Sequence, residues 1–308
     1  MKAVVNGDQG VAVVDVDEPD GPGARLEIRS SSICGTDLNF VAMGATGFVY
    51  GHEFAGVVDG VPYAVEPTLH CGTCEQCIAG HTQRCTNGAA NLGIFVNGGL
   101  CERLVVPEYT LVPLPESLSV DDACLVETGS VAMHGVRRAA IVPGERVVVV
   151  GGGSIGLLAV ASVRHLGHQV DLEARHLVQV AAGERLGAGR PSGAYDVIIE
   201  ATGSASGIAR CAELAAPGAR VILLGVFHDT VPVPGIVALV KELTFTAAMA
   251  YGSSGGVRET ELVAKMLGAE PEIARAVITH RFELADAAEA FRVAGDRAGG
   301  AIKVVLHP

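Results

Sequence analysis

Residues 146–157 read Arg146-Val147-Val148-Val149-Val150-Gly151-Gly152-Gly153-Ser154-Ile155-Gly156-Leu157. Four successive β-branched apolar residues suit a strand buried on both faces, and the apolar run Leu157 to Val163 suits a covering helix. Between them the glycines have the spacing G-x-G-x-x-G. Such glycines permit a tight turn and close approach of a pyrophosphate to the helix N-terminus, whose free N–H groups favour an anion. In a strand–turn–helix setting the motif predicts a dinucleotide site on Gly151, Gly153, Ser154, Ile155 and Gly156.

Working outward, the pattern alternates. Strands are expected at 146–150, 169–173, 195–199, 219–224 and about 243–250, and helices at about 154–166, 176–186, 205–215 and 235–241. This βαβ alternation predicts a parallel sheet. A helix at 131–140 precedes it, stopped by Pro143-Gly144. Residues 1 to about 128 read as β-rich, with short apolar runs punctuated by Gly, Pro and Asp, and helical periodicity there is scarce. The tail should hold helices near 257–267 and 284–294 and a last strand at 301–306, returning to the first domain. The domains are therefore read as 1–128 completed by 253–308, and 129–252.

With 308 residues the chain exceeds one ordinary core, and 49% apolar against 18% charged residues argues for a globular protein over a disordered one. A net charge of -12 argues against nucleic acid, whose binding rests on Lys and Arg at phosphates. The longest uncharged stretch, Arg146 to Arg164, contains the glycine turn and does not read as a bilayer span. Asp8 and Asp15 interrupt the N-terminus, so an export signal is not expected and the cytoplasm is.

Cytosolic thiols stay reduced, which turns attention from disulfides to metal for the eight cysteines. Cys71, Cys74, Cys77 and Cys85 have the spacing C-x2-C-x2-C-x7-C. Four thiolates from one loop surround a tetrahedral ion, the arrangement of a closed structural zinc site. The alternative, an iron–sulfur cluster, has a short-spaced form ending in C-x3-C-P, absent here. A second, scattered set is Cys34 in I-C-G-T-D, His52 and Glu53 in G-H-E, and Glu127 in V-E-T-G-S. One Cys, one His and a carboxylate leave a position open on zinc, as a Lewis-acid site requires.

These motifs, with the closing G-A-I-K-V-V-L, occur in the same order as in the zinc-dependent medium-chain dehydrogenase/reductase family, and Glu127 makes the chain resemble its polyol, threonine and butanediol dehydrogenase branch. The resemblance covers nearly the whole chain. It implies an α/β architecture: a GroES-like β-rich catalytic domain and a Rossmann doubly wound parallel sheet. It implies hydride transfer between NAD(P) and a small alcohol or polyol or its carbonyl counterpart, with two zinc ions per chain. Cys34 and His52 are then ligands of the catalytic zinc, with Glu53 and Glu127 supplying carboxylates; which glutamate binds directly is left open. Thr36 matches the relay hydroxyl that passes the alcohol proton to the cofactor ribose. The family commonly continues to a histidine where this chain has Asn39, which cannot titrate. Thr202, Gly225 and Val226 join the cofactor residues, and a homodimer or homotetramer is implied, with the strand at 243–250 as the pairing edge.

Dinucleotide choice is read at the end of the second strand, where an acid hydrogen-bonds the ribose hydroxyls. That position is Ala174, followed by Arg175, which predicts NADP(H) over NAD(H); the alternative is that Glu173 serves as the acid. The chain is also short. The loop between Gly44 and Gly51 is cut back, and Leu186-Gly187-Ala188 passes almost at once to Tyr195, so one edge strand should be missing and about five remain. Two further readings stay open: a zinc-containing reductase of a C=C or C=N bond, and a dinucleotide-binding protein without turnover.

Overall fold

Val147 to Val150 do form a strand, at most 4% exposed, with neighbours on both sides. In the computed structural model, which describes residues 1–254 and 256–308, the chain divides into two units, Met1–Thr128 with Gly252–Pro308, and Gly129–Tyr251. The second unit holds a five-stranded parallel sheet in the order Asp171–Glu173, Val147–Val150, Tyr195–Glu200, Ala215–Leu223, Thr244–Ala247.

The expected loss of an edge strand has a visible remnant. Gly189 alone continues the ladder beyond Asp171–Glu173, accepting from Leu172 N–H at 3.0 Å and donating to Val170 at 2.9 Å. The short connection that follows is closed by side chains. Tyr195 donates to Asp171 at 2.6 Å and accepts from the Ser192 N–H, while the Arg146 guanidinium lies 4.6 Å from the Tyr195 ring centroid. A buried hydroxyl with both partners satisfied replaces the missing strand at this end of the sheet.

The first unit is built on a seven-stranded sheet. Its path runs Leu111–Pro113, Val61–Val65, Glu53–Val58, Ala24–Ser32, Lys303–His307, Ile278–Glu283, with Arg103–Val106 also paired to Ala24–Ser32. The final strand lies antiparallel to Ala24–Ser32 (Val305 opposite Ser32), so the two ends of the sequence share one sheet. One core gathers Ile33, Phe48, Tyr50, Leu100 and Phe291; another gathers Leu26, Ile28, Phe54 and Val106. Among the described residues no helix is long and apolar enough to cross a membrane.

Four differences from expectation bear on the sites or the sheets. A helix, Gly35–Ala42, stands in the β-rich region, where the Asp37 carboxylate caps the Cys34 N–H at 2.8 Å. The helix expected at 131–140 is Leu125–Arg138, which puts Glu127 in its first turn. The strand expected from 219 begins at Ala215. Ile278–Glu283 is a strand that went unread, because Thr279-His280-Arg281 breaks the apolar signal of an edge strand.

Candidate functional site

Cys34 leaves the strand Ala24–Ser32 and N-caps the helix Gly35–Ala42, while Glu53 opens the adjacent strand, opposite Ser32 in register. Strand pairing therefore brings the two motifs together. The Cys34 thiol, a His52 ring nitrogen and a Glu53 carboxylate oxygen all lie within 4.8 Å of one another. Asp37, fully buried, places its other carboxylate oxygen 3.5 Å from His52 Nδ1 and so orients the ring.

Glu53 is already engaged. Lys303 Nζ bonds both of its oxygens, at 2.8 and 2.6 Å, Ser32 Oγ donates to it as well, and both charged side chains are at most 2% exposed. Burial is the largest influence on the Glu53 carboxyl and raises its pKa, yet Lys303, His52 and Ser32 together turn the net direction downward. Glu127 stands just outside the cluster, buried and with no hydrogen bond among the described residues. Burial pushes its carboxyl up to about 7, Glu53 and Asp37 adding to the rise and His52 and Lys303 opposing it. Burial also works against charge on His52, but Asp37 and Cys34 prevail and raise its pKa well above the ordinary value. The residues present thus fit a divalent cation: one thiol and three carboxyls, Asp37, Glu53 and Glu127, gather around a single buried lysine, Lys303, and the imidazole between them is drawn toward positive charge. Thr36 Oγ1 lies 3.7 Å from Cys34 Sγ, beside this cluster.

The four other cysteines also converge within 4.8 Å. Three Sγ–Sγ separations are 3.4, 4.0 and 4.0 Å, too long for a disulfide and near the edge of about 3.8 Å that a tetrahedron of zinc–sulfur bonds requires. Backbone N–H groups of Thr73 and Cys74 point at Cys71 Sγ, at 3.4 and 3.3 Å, and hold its thiol down to about 5. A thiolate cradle of this kind fits a structural metal.

In the second unit Gly151 adopts φ +113°, and a Cβ at Gly156 would collide with the Gly151 carbonyl. Gly153 faces open space at the N-terminus of the helix Ser154–His165, where no side chain caps the free N–H groups. Thr202 and Gly203 N–H both donate to Glu200, a fully buried carboxylate that also crowds Gly225. Val226 is 64% exposed. Ala174 faces the turn, its methyl 2.6 Å from where a Gly152 Cβ would stand. Glu173 is held bidentately by Arg210 at 2.7 and 2.9 Å, whereas exposed Arg175 has no ion pair among the described residues. Asp37, Lys303 and Glu200 escaped sequence reading as parts of the sites. The acid ending C-G-T-D, the lysine in the closing G-A-I-K-V-V-L and the acid ending the apolar strand Tyr195–Glu200 were the signals available.

Residues 21–116 match the model of the alcohol dehydrogenase GroES-like domain. L-threonine 3-dehydrogenase of Saccharopolyspora erythraea is 31% identical over 96% of this chain and 95% of its own length. The chain belongs to the zinc-dependent medium-chain dehydrogenase/reductase family. Galactitol-1-phosphate dehydrogenase from Escherichia coli superposes with a TM-score of 0.90 at 28% identity, covering all of both chains. A zinc-binding dehydrogenase from Sinorhizobium meliloti 1021, solved bound to NADP, gives 0.87 at 28% identity over 100% and 99% of the two chains. Within the family the chain falls in the polyol dehydrogenase branch, and it is an oxidoreductase of alcohol and carbonyl groups.

The Lys303–Glu53 pair makes a stability prediction. Lys303→Met leaves a buried carboxylate without its cation and should cost about 3–5 kcal/mol, whereas Lys303→Met with Glu53→Gln should recover more than half of that. Urea unfolding of the two variants checks this; equal losses would show that the pair does not act as a unit.

Proposed function

We propose that this chain interconverts an alcohol group of a small molecule and the corresponding carbonyl, with NADP(H) preferred over NAD(H) and two zinc ions per chain. The observation that carries the reading is the buried, acid-rich cluster around Cys34 and His52, with a relay hydroxyl beside it. Cys34, His52 and Glu127 hold the catalytic metal, Glu127 because its carboxyl is unengaged while Glu53 is bound through both oxygens by Lys303. Cys71, Cys74, Cys77 and Cys85 hold the structural one. When bound, the catalytic zinc supplies Lewis acidity to the substrate oxygen. Asp37 fixes the His52 ring, and Thr36 Oγ1 accepts the alcohol proton. Asn39 cannot carry that proton onward, so it leaves through water.

On the cofactor side, Gly151, Gly153, Ser154, Ile155 and Gly156 receive the pyrophosphate, with Thr202, Gly225 and Val226 along the adjoining strand ends. NADP(H) is favoured because Ala174 offers no acid to the ribose, Glu173 is neutralised by Arg210, and Arg175 is available to a 2′-phosphate. The NADP-bound relative supports the same choice. Eight unpaired cysteines suit a reducing compartment, the cytoplasm. A homodimer forms through the open edge of Thr244–Ala247 and the adjacent helix Gly235–Val240, whose Ile236, Leu239 and Val240 are each more than 70% exposed.

Metal analysis should find two zinc ions per chain. Cys34→Ser should reduce this to one and lower kcat at least about a thousandfold with the fold intact, while Cys74→Ser should lose the other ion and lower Tm first. Turnover surviving Cys34→Ser would exclude the assigned site. Initial rates with both cofactors should favour NADP(H), and Arg175→Ala should narrow that preference about tenfold or more; a native preference for NAD(H) contradicts the assignment. Light scattering should give twice the 31.5 kDa chain mass, falling to the monomer in Leu239→Lys; a native monomer would overturn the pairing.

A further inference from the structure

Three Asn-Gly pairs occur in the chain, Asn6–Gly7, Asn87–Gly88 and Asn97–Gly98. Asparagine before glycine is chemically labile, because a glycine nitrogen has no side chain beside it to hinder its approach to the neighbouring amide carbon. The fold protects two of the three. Asn6 is 6% exposed within the strand Lys2–Gly7, and its amide donates to the Ala45 carbonyl at 3.0 Å. At the third pair the following nitrogen is committed: Gly98 N–H donates to Val49 at 2.8 Å, and the Asn97 side-chain oxygen accepts from Val49 N–H at 2.9 Å.

Asn87–Gly88 lacks such protection. Both residues are exposed, in a turn that follows Cys85 and lies outside helices and strands. Among the described residues Gly88 N–H makes no backbone hydrogen bond. Gly88 sits at φ +90°, and a Cβ there would meet nothing within 4 Å, so the turn is uncrowded. The Asn87 amide nevertheless has a task. Its Nδ2 donates to Cys71 Sγ at 3.4 Å, a sulfur that also receives Thr73 N–H, Thr73 Oγ1 and Cys74 N–H. Of these four donors Asn87 is the one that hydrolysis converts into an acid.

We infer that Asn87 is a site of self-modification by deamidation, and that the modified loop holds its structural metal less firmly. The second part rests on the assignment of Cys71, Cys74, Cys77 and Cys85 to that metal. In the reaction the Gly88 nitrogen bonds to Asn87 Cγ and the bond from Cγ to Nδ2 breaks, the side-chain nitrogen leaving as ammonia with the former Gly88 amide proton. Water then opens the cyclic imide at either carbonyl and leaves aspartate or isoaspartate, so neither oxidant nor reductant is consumed. An ionised carboxylate has no N–H to give Cys71 Sγ, and it sets a negative charge beside four sulfurs that bind metal as thiolates. Isoaspartate also lengthens the main chain by one carbon two residues from Cys85.

The test ages the zinc-loaded protein at mildly alkaline pH and maps its peptides by mass. The Asn87 peptide should convert at least about tenfold faster than the Asn97 peptide, where the hydrogen bond at Gly98 must break first. Zinc affinity is then read by chelator competition in a Cys34→Ser background, so that only the structural ion counts. Asn87→Asp should weaken it about ten- to a hundredfold, whereas Asn87→Ser, which keeps a donor and cannot form the imide, should neither age nor lose zinc. An Asn87 that stays unmodified, or converts no faster than Asn97, overturns the site. Zinc held as tightly by Asn87→Asp as by the parent overturns the link to the metal. A parent protein with no zinc on the cysteine loop overturns the metal assignment and the link with it, while the mass map still reads the deamidation on its own.

Discussion

The ion pair between Lys303 and Glu53 joins residues 250 positions apart inside the sheet of the first unit, and the metal cluster depends on it. Lys303 belongs to the last strand of the chain, which lies antiparallel to the strand feeding Cys34. Without it the strands carrying Cys34 and His52 would enclose a cluster of acids with no fixed cation. With it, one carboxylate is neutralised in place, and the thiol, the imidazole and the other carboxyls remain as groups that would suit a metal. The pair earns this position despite the cost of dehydrating two charges, because both carboxylate oxygens and the ammonium find hydrogen bonds.

The second unit solves a different problem, that of binding an anionic dinucleotide on a chain with a net charge of -12. It does so locally. The glycine turn presents helix N–H groups without a side-chain cap, and Arg210 neutralises Glu173 at the end of the neighbouring strand. Loss of an edge strand leaves these features in place, because the glycine turn follows the inner strand Val147–Val150 and Glu173 ends the strand that still pairs with it, while Tyr195, Asp171 and Arg146 close that side of the sheet.

Much of this was legible in sequence where the signal is local. The valine strand, the glycine turn and the four-cysteine loop each occupy one short segment, and the structure brings each together as the spacing suggests. What stayed hidden depends on partners far away in the chain. Lys303 reads as one basic residue in a terminal strand until Glu53 is seen beneath it. Asp37 reads as a helix cap until the His52 ring is found 3.5 Å away. Glu127 was visible, but its helix starts earlier than the periodicity suggested, since the glycine and threonine after it mask the first turn.

The division of labour between the two glutamates is the claim on which the account stands. Diffraction from crystals of the zinc-loaded protein, with anomalous data at the zinc edge, tests it most directly. The account predicts a peak within bonding distance of Cys34, His52 and Glu127, and Glu53 still held by Lys303. A peak coordinated by Glu53, with Lys303 released and Glu127 turned away, or no peak beside Cys34, would contradict it.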